Sequence, residues 1–370
     1  MRFYFWQQVL SPHQNEFIIE LSKITGNKIF WIVESEKLEY RTNMGWEDVN
    51  VTDLNIIIAP TKNQIHQIID ESKIYNSIHV FSGLRGVWLV RYAFKYACKF
   101  DLKIAIQSES IDKKGLKGIG RIFIGLLDRI RFSSKISYIF AIGSTGRNWF
   151  EFLGYKKNII FDWGYFPTSR FLEIDNVEYD TTKFNFIYCG SLIKDKGIFN
   201  LIKAFCDIVK FHPNTHLHLV GSGKNMNDII TITKKYKLSN NVSFHGVLLN
   251  KQAKYLISKS DVLILPSIRK DGWGAVVNEA ILNGTKVICS DLCGASIVLK
   301  NNRVFGRVFD HKKIETLIQS MNELLDEGKI SFEMRNVLIE KSKILNPRTA
   351  SIYFNSIVNN LLTIKAPWIS

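Results

Sequence analysis

The sequence predicts an α/β fold made of two doubly wound parallel sheets, and three features indicate it. Short apolar runs alternate along the chain with longer amphipathic stretches. The runs are nearly continuous, as expected for strands that are buried on both faces of a parallel sheet. The length of 370 residues fits two domains of this kind rather than one.

The apolar runs predict the strands in order. In the first half they are 29–33, 54–60, 77–83, 102–108, 136–143 and 158–164, and in the second half 184–190, 215–223, 242–247, 261–267 and 286–291. Amphipathic stretches such as 199–211 and 224–238 separate them and predict helices.

A polar segment, 167–183, interrupts this rhythm and is expected to link two domains, 1–166 and 184–345. After the break at Pro347, the final segment 346–370 begins with an amphipathic pattern and predicts a terminal helix.

The chain is basic, with 49 Lys and Arg against 34 Asp and Glu and a formal charge of +15. Such a balance favours an anionic partner, which is a nucleotide, a nucleic acid or an anionic lipid, without choosing among them. The five cysteines show no paired framework, the first residues do not resemble a signal peptide, and no apolar run approaches the ~18 residues of a membrane span. We therefore expect a cytoplasmic protein.

Four polar loops that contain glycine or follow it come after predicted strands in the second half. In open α/β folds ligands bind at the carboxyl ends of the strands, where such loops meet helix starts. The residues expected at a nucleotide site are Gly190, Ser191 and Lys196, then Gly221 and Gly223, then His245 and Gly246, and then Arg269, Asp271, Gly272, Trp273, Gly274 and Ala275, with Glu279 in the following helix. Each feature alone is more often a simple turn or a solvated residue, so the prediction depends on their joint order.

These motifs resemble the nucleotide-binding domain of family 4 glycosyltransferases, the glycosyl transferases group 1, from about Phe184 to Val298. The matching stretches are CGSLIKDKG, VGSG, FHG and PSIRKDGWGAVVNEA. Two positions depart from the family pattern. Asp271 stands where Glu is usual, and Ser191 stands where Arg is usual, which leaves Lys196 as the main cation with Arg269 nearby. DGWG, VVNEA and FDWGYFP are similar to a bacterial subgroup.

The resemblance implies a GT-B fold, in which two Rossmann-like domains face a central cleft and a C-terminal helix crosses back to the N-terminal domain. It implies retaining transfer from a nucleotide-diphosphate sugar, as co-substrate, to a glycan or lipid-linked acceptor in bacterial surface-polysaccharide or lipopolysaccharide synthesis. No metal or other cofactor is expected. Glu279 would hold the ribose hydroxyls, Asp271 the sugar hydroxyls, and Lys196 the leaving diphosphate. The backbone of 272–275 would meet the diphosphate or sugar at the helix start.

On the acceptor side the resemblance indicates Glu109, which follows the strand LKIAIQS, as an acceptor contact and a proton acceptor. A charge at a helix N-terminus is an equally good interpretation of Glu109. His13, in SPHQ, is expected at the mouth of the cleft, although an ordinary loop residue explains it as well.

The segment 113–135 holds seven basic residues and one acid, Asp128, among apolar residues. This mixture suits an amphipathic helix resting on an anionic membrane surface, which would place the protein peripherally on the inner face of the cytoplasmic membrane. The alternative is an ordinary helix that packs on the sheet and has a solvated basic face.

Two other functions compete with glycosyl transfer. A GT-B chain that has lost catalysis and serves as a binding subunit is compatible with Ser191. A nucleic-acid-binding protein is suggested only by the charge, and because no interleaved aromatic and basic stripe is present, nucleic acid is not expected as a partner.

Overall fold

The structure is a computed structural model that describes residues 1–36, 54–111, 115–168, 179–361 and 365–369. It contains two parallel sheets in succession along the chain, each flanked by helices. Of the predicted linker, 167–168 and 179–183 lie within the described residues.

The first sheet has seven strands in the order β3-β2-β1-β4-β5-β6-β7, all paired in parallel. The strands are β1 (Arg2–Val9), β2 (Lys28–Ser35), β3 (Asn55–Ile58), β4 (Ser77–Phe81), β5 (Lys103–Glu109), β6 (Ile136–Ile142) and β7 (Ile160–Trp163). The described helices of this half are α1 (Pro12–Thr25), α2 (Lys62–Ser72), α3 (Trp88–Ala97), α4 (Gly115–Phe132) and α5 (Gly146–Phe152).

The second sheet has six strands in the order β10-β9-β8-β11-β12-β13, again all parallel. The strands are β8 (Phe184–Cys189), β9 (Thr215–Val220), β10 (Val242–Gly246), β11 (Val262–Leu265), β12 (Lys286–Ser290) and β13 (Gly306–Phe309). The described helices are α6 (Ile198–Phe211), α7 (Met226–Lys235), α8 (Asn250–Lys259), α9 (Ala275–Leu282), α10 (Ser296–Asn301), α11 (Ile314–Asp326), α12 (Phe332–Lys341) and α13 (Pro347–Val358).

The α/β prediction is confirmed, and every predicted apolar run contains a strand. Two strands were missed. β1 is an interior strand of the first sheet, between β2 and β4, but Gln7 and Gln8 interrupt its apolar pattern. The buried Gln7 accepts a hydrogen bond from Trp31 Nε1 at 3.0 Å, so its polarity is satisfied inside the core. β13 spans Gly306–Phe309, where Gly306 and Arg307 leave only two consecutive apolar residues.

The last helix, α13, follows the second sheet in sequence but packs on the first domain. Ser351 Oγ donates to the carbonyl oxygen of Phe17 in α1 at 3.0 Å. The ring of Phe354 stacks on Phe140 of β6 with centroids 4.8 Å apart and meets Phe3 of β1 edge-on. This buried aromatic group anchors the crossing helix expected for the fold.

Candidate functional site

A cavity of about 600 Å³ lies between the carboxyl ends of the two sheets. Both domains line it, because the loops after β5 and β7 meet the loops after β8, β9, β10 and β11. The lining residues are His13, Glu109, Tyr165, Tyr188, Cys189, Gly190, Ser191, Lys196, Val220, Gly221, Ser222, Val247, Leu248, Asn250, Ala253, Leu265, Asp271, Gly272, Trp273, Gly274, Ala275, Val276 and Glu279.

The turn that carries Lys196 is held by close backbone packing. Gly197 has a φ of +72°, and a Cβ placed there would lie 1.8 Å from the carbonyl oxygen of Pro266. Only glycine satisfies both conditions, so the loop after β8 lies directly against the loop after β11. Ile268 N donates to the carbonyl oxygen of Asp195 at 3.0 Å and fixes the same contact.

Lys196 and Asp271 meet across these two loops. Lys196 Nζ donates to Asp271 Oδ2 at 2.6 Å, and the Ser267 hydroxyl donates to the same oxygen at 2.8 Å. Both charged side chains remain partly accessible from the cavity, with 29% and 15% exposure. The site therefore presents one cation and one carboxylate side by side, a suitable pair for a diphosphate and a hydroxylated ring.

Glu279 lies in the first turns of α9, the helix that begins after Gly274. Its carboxylate is nearly buried and lies 3.8 Å from Lys254 Nζ on α8. Gly274 adopts a φ of +81°, and a Cβ there would lie 2.8 Å from Cys293 Sγ, so the loop can turn into the helix only with glycine. Gly274, Ala275 and Val276 at the α9 start line the cavity, where the positive end of the helix dipole favours a negative charge.

Glu109 comes from the first domain and presses on the second. An added Cβ at Gly272 would lie 2.1 Å from the Glu109 carboxylate atoms, so this carboxylate approaches the backbone of the second domain closely. Tyr165 Oη donates to Glu109 Oε1 at 2.9 Å. Burial raises the pKa of Glu109, and the nearby Asp271 raises it further, while the Tyr165 hydrogen bond and Lys196 oppose the shift.

Backbone contacts join the domains beside Glu109. Ser144 N donates to the carbonyl oxygen of Gly294 at 2.9 Å, and a Cβ on Gly143 would lie 2.7 Å from the carbonyl oxygen of Gly272. Asn278 Nδ2 donates to the carbonyl oxygen of Tyr165 at 2.7 Å. The cleft is therefore closed, with the two halves of the site in direct contact.

The structure brings most of the sequence-predicted residues into this cavity. Those lining it are His13, Glu109, Gly190, Ser191, Lys196, Gly221, Asp271, Gly272, Trp273, Gly274, Ala275 and Glu279. Four others lie outside its lining, namely Gly223, His245, Gly246 and Arg269.

Each of these four has a structural partner. Gly223 packs on the carbonyl of Leu192, and the carbonyl oxygen of Gly246 accepts from Gly221 N at 2.7 Å, so both support loops that do line the cavity. Arg269 is mostly exposed and pairs with Asp195 at 3.3 Å rather than taking the place of the arginine that Ser191 replaces.

His245 belongs to a histidine group on the second sheet. Its Nε2 lies 3.0 Å from His218 Nδ1, and His216 packs beside His218. Burial lowers the pKa of His218 to about 3 and that of His216 to about 4, and it also lowers the pKa of His245. Neutral, hydrogen-bonded rings of this kind serve packing.

Residues 170–344 match the family model described as glycosyl transferases group 1. This match covers 175 residues, just under half of the chain. Glycogen synthase of Mycobacterium tuberculosis is 26% identical over 141 residues, which make up 38% of this chain and 34% of that protein. The matched part thus spans about a third of the length of that relative.

The whole chain resembles solved GT-B structures. HepE of Anabaena in complex with UDP superposes with a TM-score of 0.71 at 13% identity, covering 97% of this chain and 100% of that one. The apo form of the lipopolysaccharide outer core galactosyltransferase WaaB gives 0.69 at 15% identity, covering 98% and 100%. At such identities the likeness shows the fold, which is GT-B.

Several residues that line the cavity, from both domains, were not predicted from the sequence. Asn250 lies in a helix whose polar residues have the pattern of a solvated face, and Tyr188 is an inward position of a buried strand. Lys254, in the same helix as Asn250, pairs with Glu279 but does not line the cavity. Tyr165 lies in FDWGYFP, which was noted only as a subgroup feature. The position of Tyr165 just before the second domain was the signal that the sequence offered.

Among the described residues, Asp291, Asp310 and His311 have ligand-type atoms within 4.8 Å of one another. None of them lines the cavity, and His311 Nδ1 already lies 2.7 Å from Asp291 Oδ1. No described helix is both long and apolar enough to cross a membrane.

Proposed function

We propose that the chain is a retaining glycosyltransferase that moves a sugar from a nucleotide-diphosphate sugar to a glycan or lipid-linked acceptor, without a metal ion or other cofactor. The observation that carries the proposal is the meeting of Lys196, Asp271 and Glu279 with Glu109 around one cavity. HepE, which has the same fold, was solved with UDP and with UDP-glucose, and this supports a nucleotide sugar as the donor.

The donor would lie along the second domain. Glu279 accepts hydrogen bonds from both ribose hydroxyls, and the α9 start receives the diphosphate. Lys196 exchanges Asp271 for the diphosphate and stabilises the negative charge that develops as the anomeric bond breaks. Asp271 then accepts hydrogen bonds from the sugar hydroxyls.

The acceptor would approach from the first domain. The bond between the anomeric carbon and the diphosphate oxygen breaks, and a bond from the same carbon to the acceptor oxygen forms on the same face. The hydroxyl proton passes to Glu109, whose raised pKa suits a proton acceptor near neutral pH. The products are the glycoside and a nucleoside diphosphate.

A panel of nucleotide sugars tests this proposal by thermal shift and by release of the nucleoside diphosphate. One nucleotide should raise the unfolding temperature, because it binds only the folded state. The folded Glu279→Gln variant should lose this rise. Binding without any release or transfer would favour the binding-subunit alternative, and no stabilisation by any nucleotide would contradict the donor site.

The acceptor is proposed to be lipid-linked because of α4. Its residues at a spacing of three and four form one outward stripe that includes Leu116, Ile119, Phe123, Leu126 and Ile130. Leu116 is 88% exposed and Ile130 71%. On the opposite face Gly125 packs on Trp149 and Leu153 of the α5 region, so the domain covers the side with small residues and leaves the apolar stripe outside.

The charges of α4 complement an anionic bilayer. Lys117, Arg121, Arg129 and Arg131 are exposed. The one acid of the helix, Asp128, is withdrawn from the surface, where Arg85 Nη2 donates to it at 2.8 Å. An apolar stripe flanked by basic residues is typical of a helix that lies in the interface of an anionic membrane. Since α4 begins shortly after Glu109, such a membrane would lie on the acceptor side.

Co-sedimentation with vesicles tests the membrane surface. We expect binding to phosphatidylglycerol vesicles and little binding to phosphatidylcholine vesicles. The double variant Phe123→Ser/Ile130→Ser should abolish it, whereas Phe211→Ser, which removes an even more exposed ring from the second domain, should not. Equal binding to both vesicle types, or a dimer that depends on α4 in place of vesicle binding, would contradict the proposal.

A further inference from the structure

A chain of three hydrogen bonds connects the second domain to Glu109. Trp273 Nε1 donates to Asn278 Oδ1 at 3.1 Å, and Asn278 Nδ2 donates to the carbonyl oxygen of Tyr165 at 2.7 Å. The Tyr165 hydroxyl donates to Glu109 Oε1 at 2.9 Å. The chain crosses the domain boundary once, between Asn278 and Tyr165.

The residues of this chain of hydrogen bonds are closely packed. Asn278 is fully buried and directly precedes Glu279. The helix that carries Glu279, the proposed ribose-binding residue, therefore also contacts the first domain through Asn278. A Cβ on Gly164 would lie 2.7 Å from the Trp273 ring, which leaves room for glycine alone beside Tyr165. His13 stacks on the Tyr165 ring with centroids 5.9 Å apart.

The buried amide of Asn278 needs both partners. In the interior an amide without hydrogen bonds costs free energy, and here its oxygen is satisfied within its own domain and its nitrogen only by the other domain. Separation of the domains would therefore remove the partner of the nitrogen and, at the same time, withdraw Tyr165 from the donor helix.

We propose that Asn278 and Tyr165 are positioning residues that place the Glu109 carboxylate for reaction only when the two domains are closed. The proposal rests on the proposed function for its kinetic consequence. Neither residue transfers a proton or forms a bond to substrate. Tyr165 holds one oxygen of Glu109, which leaves the other oxygen to face the acceptor, and Asn278 holds Tyr165.

The charged and titratable groups that face Glu109 are Tyr165, Asp271 and Lys196. Of these three residues, Tyr165 is the one that can be changed while Asp271 and Lys196, the charged residues of the proposed donor site, stay in place. The Tyr165→Phe variant keeps the ring and its packing on His13 but loses the hydrogen bond to the carboxylate. The loss should raise the pKa of Glu109, because the bond stabilises the ionised form.

The kinetic test uses whichever nucleotide sugar of the panel the protein turns over. For Tyr165→Phe we expect kcat to fall by about 10-fold to 100-fold, the donor KM to stay unchanged, and the acid limb of the pH profile to move upward. Asn278→Leu should move the limb in the same direction. Tyr138→Phe, which removes a buried hydroxyl bonded to the Val358 carbonyl oxygen elsewhere in the first domain, should change neither kcat nor the limb.

A second measurement needs no substrate. The urea midpoints of Tyr165→Phe, Glu109→Gln and the double variant form a cycle, and contact between the two side chains predicts that the shifts do not add. Additive shifts, or an unchanged acid limb in an active Tyr165→Phe enzyme, would overturn the inference. Absence of turnover in the wild type would instead contradict the proposed function, and the cycle would still decide whether Tyr165 positions Glu109.

Discussion

Lys196 Nζ lies 2.6 Å from Asp271 Oδ2, so two residues that lie far apart in sequence form one ion pair in the cleft. A diphosphate that takes Lys196 must compete with Asp271 for it. The same competition releases Asp271 to accept hydroxyl groups. Donor binding and the availability of this carboxylate are therefore coupled through a single ammonium group.

The Lys196→Met variant should weaken UDP binding by about 10-fold to 100-fold, because a hydrogen bond to a charged group contributes about 1.5–3 kcal/mol. Isothermal titration calorimetry measures this with UDP as the probe. Lys194→Met is the matched control, since Lys194 belongs to the same turn but lines a separate pocket. Equal losses in both variants would mean that the net charge of the turn, rather than Lys196, binds UDP.

The Lys254→Met variant should destabilise the protein by about 3 kcal/mol, because it leaves the nearly buried Glu279 carboxylate without its cation. Adding Glu279→Gln should recover most of that loss, since the neutral amide needs no cation. Urea unfolding of the single and double variants gives the coupling. If the loss of unfolding free energy in the double variant equals the sum of the losses in the two single variants, the ion pair between Lys254 and Glu279 does not contribute to stability.

The Gly164→Ala variant should lower activity while leaving each domain folded. The added methyl group would lie 2.7 Å from the Trp273 ring, so this ring, and with it the contact between the domains, must shift to admit it. Gly120→Ala, at a helical position of α4 with open space around it, is the control and should be neutral or slightly stabilising. Full activity of Gly164→Ala would show that this contact is not needed for turnover.

Acid should destabilise the second domain. The folded-state pKa of His218 is lowered to about 3 and that of His216 to about 4, so unfolding takes up protons below the ordinary value of about 6.5. The free energy of unfolding is fully retained above that pH and falls as the pH decreases toward the folded values. Urea denaturation between pH 7 and pH 4 should reveal this slope, and His218→Asn should reduce it; an identical slope in the variant would assign the acid sensitivity elsewhere.

The sequence predicted the sheets well because parallel strands buried on both faces leave continuous apolar runs. β1 escaped because a buried glutamine bonded to Trp31 breaks such a run, and hydrogen-bond satisfaction is not visible in a pattern of apolar residues. The seven-strand order, with β1 between β2 and β4, depends on pairing between distant segments, which local patterns do not encode.

The donor side of the candidate site was also largely predictable, since its residues come from loops with a recognisable order. Lys254 could not be found in this way, because its role comes from the approach of α8 to α9. The link from Asn278 to Tyr165 joins residues from two domains, so only the packed structure relates them. The sequence places His245 with the polar loops of the nucleotide site, but His245 lies within β10 and its ring contacts His218.

The polypeptide passes between the domains twice, once between β7 and β8 and again before α13. Two covalent connections therefore join the domains, one before and one after the second sheet along the chain. Cutting the chain once between residues 168 and 179 would not release either domain, because α13 remains seated on the aromatic cluster around Phe354. The last helix thus ties the end of the second domain to the domain that carries Glu109, although it lies outside the cavity.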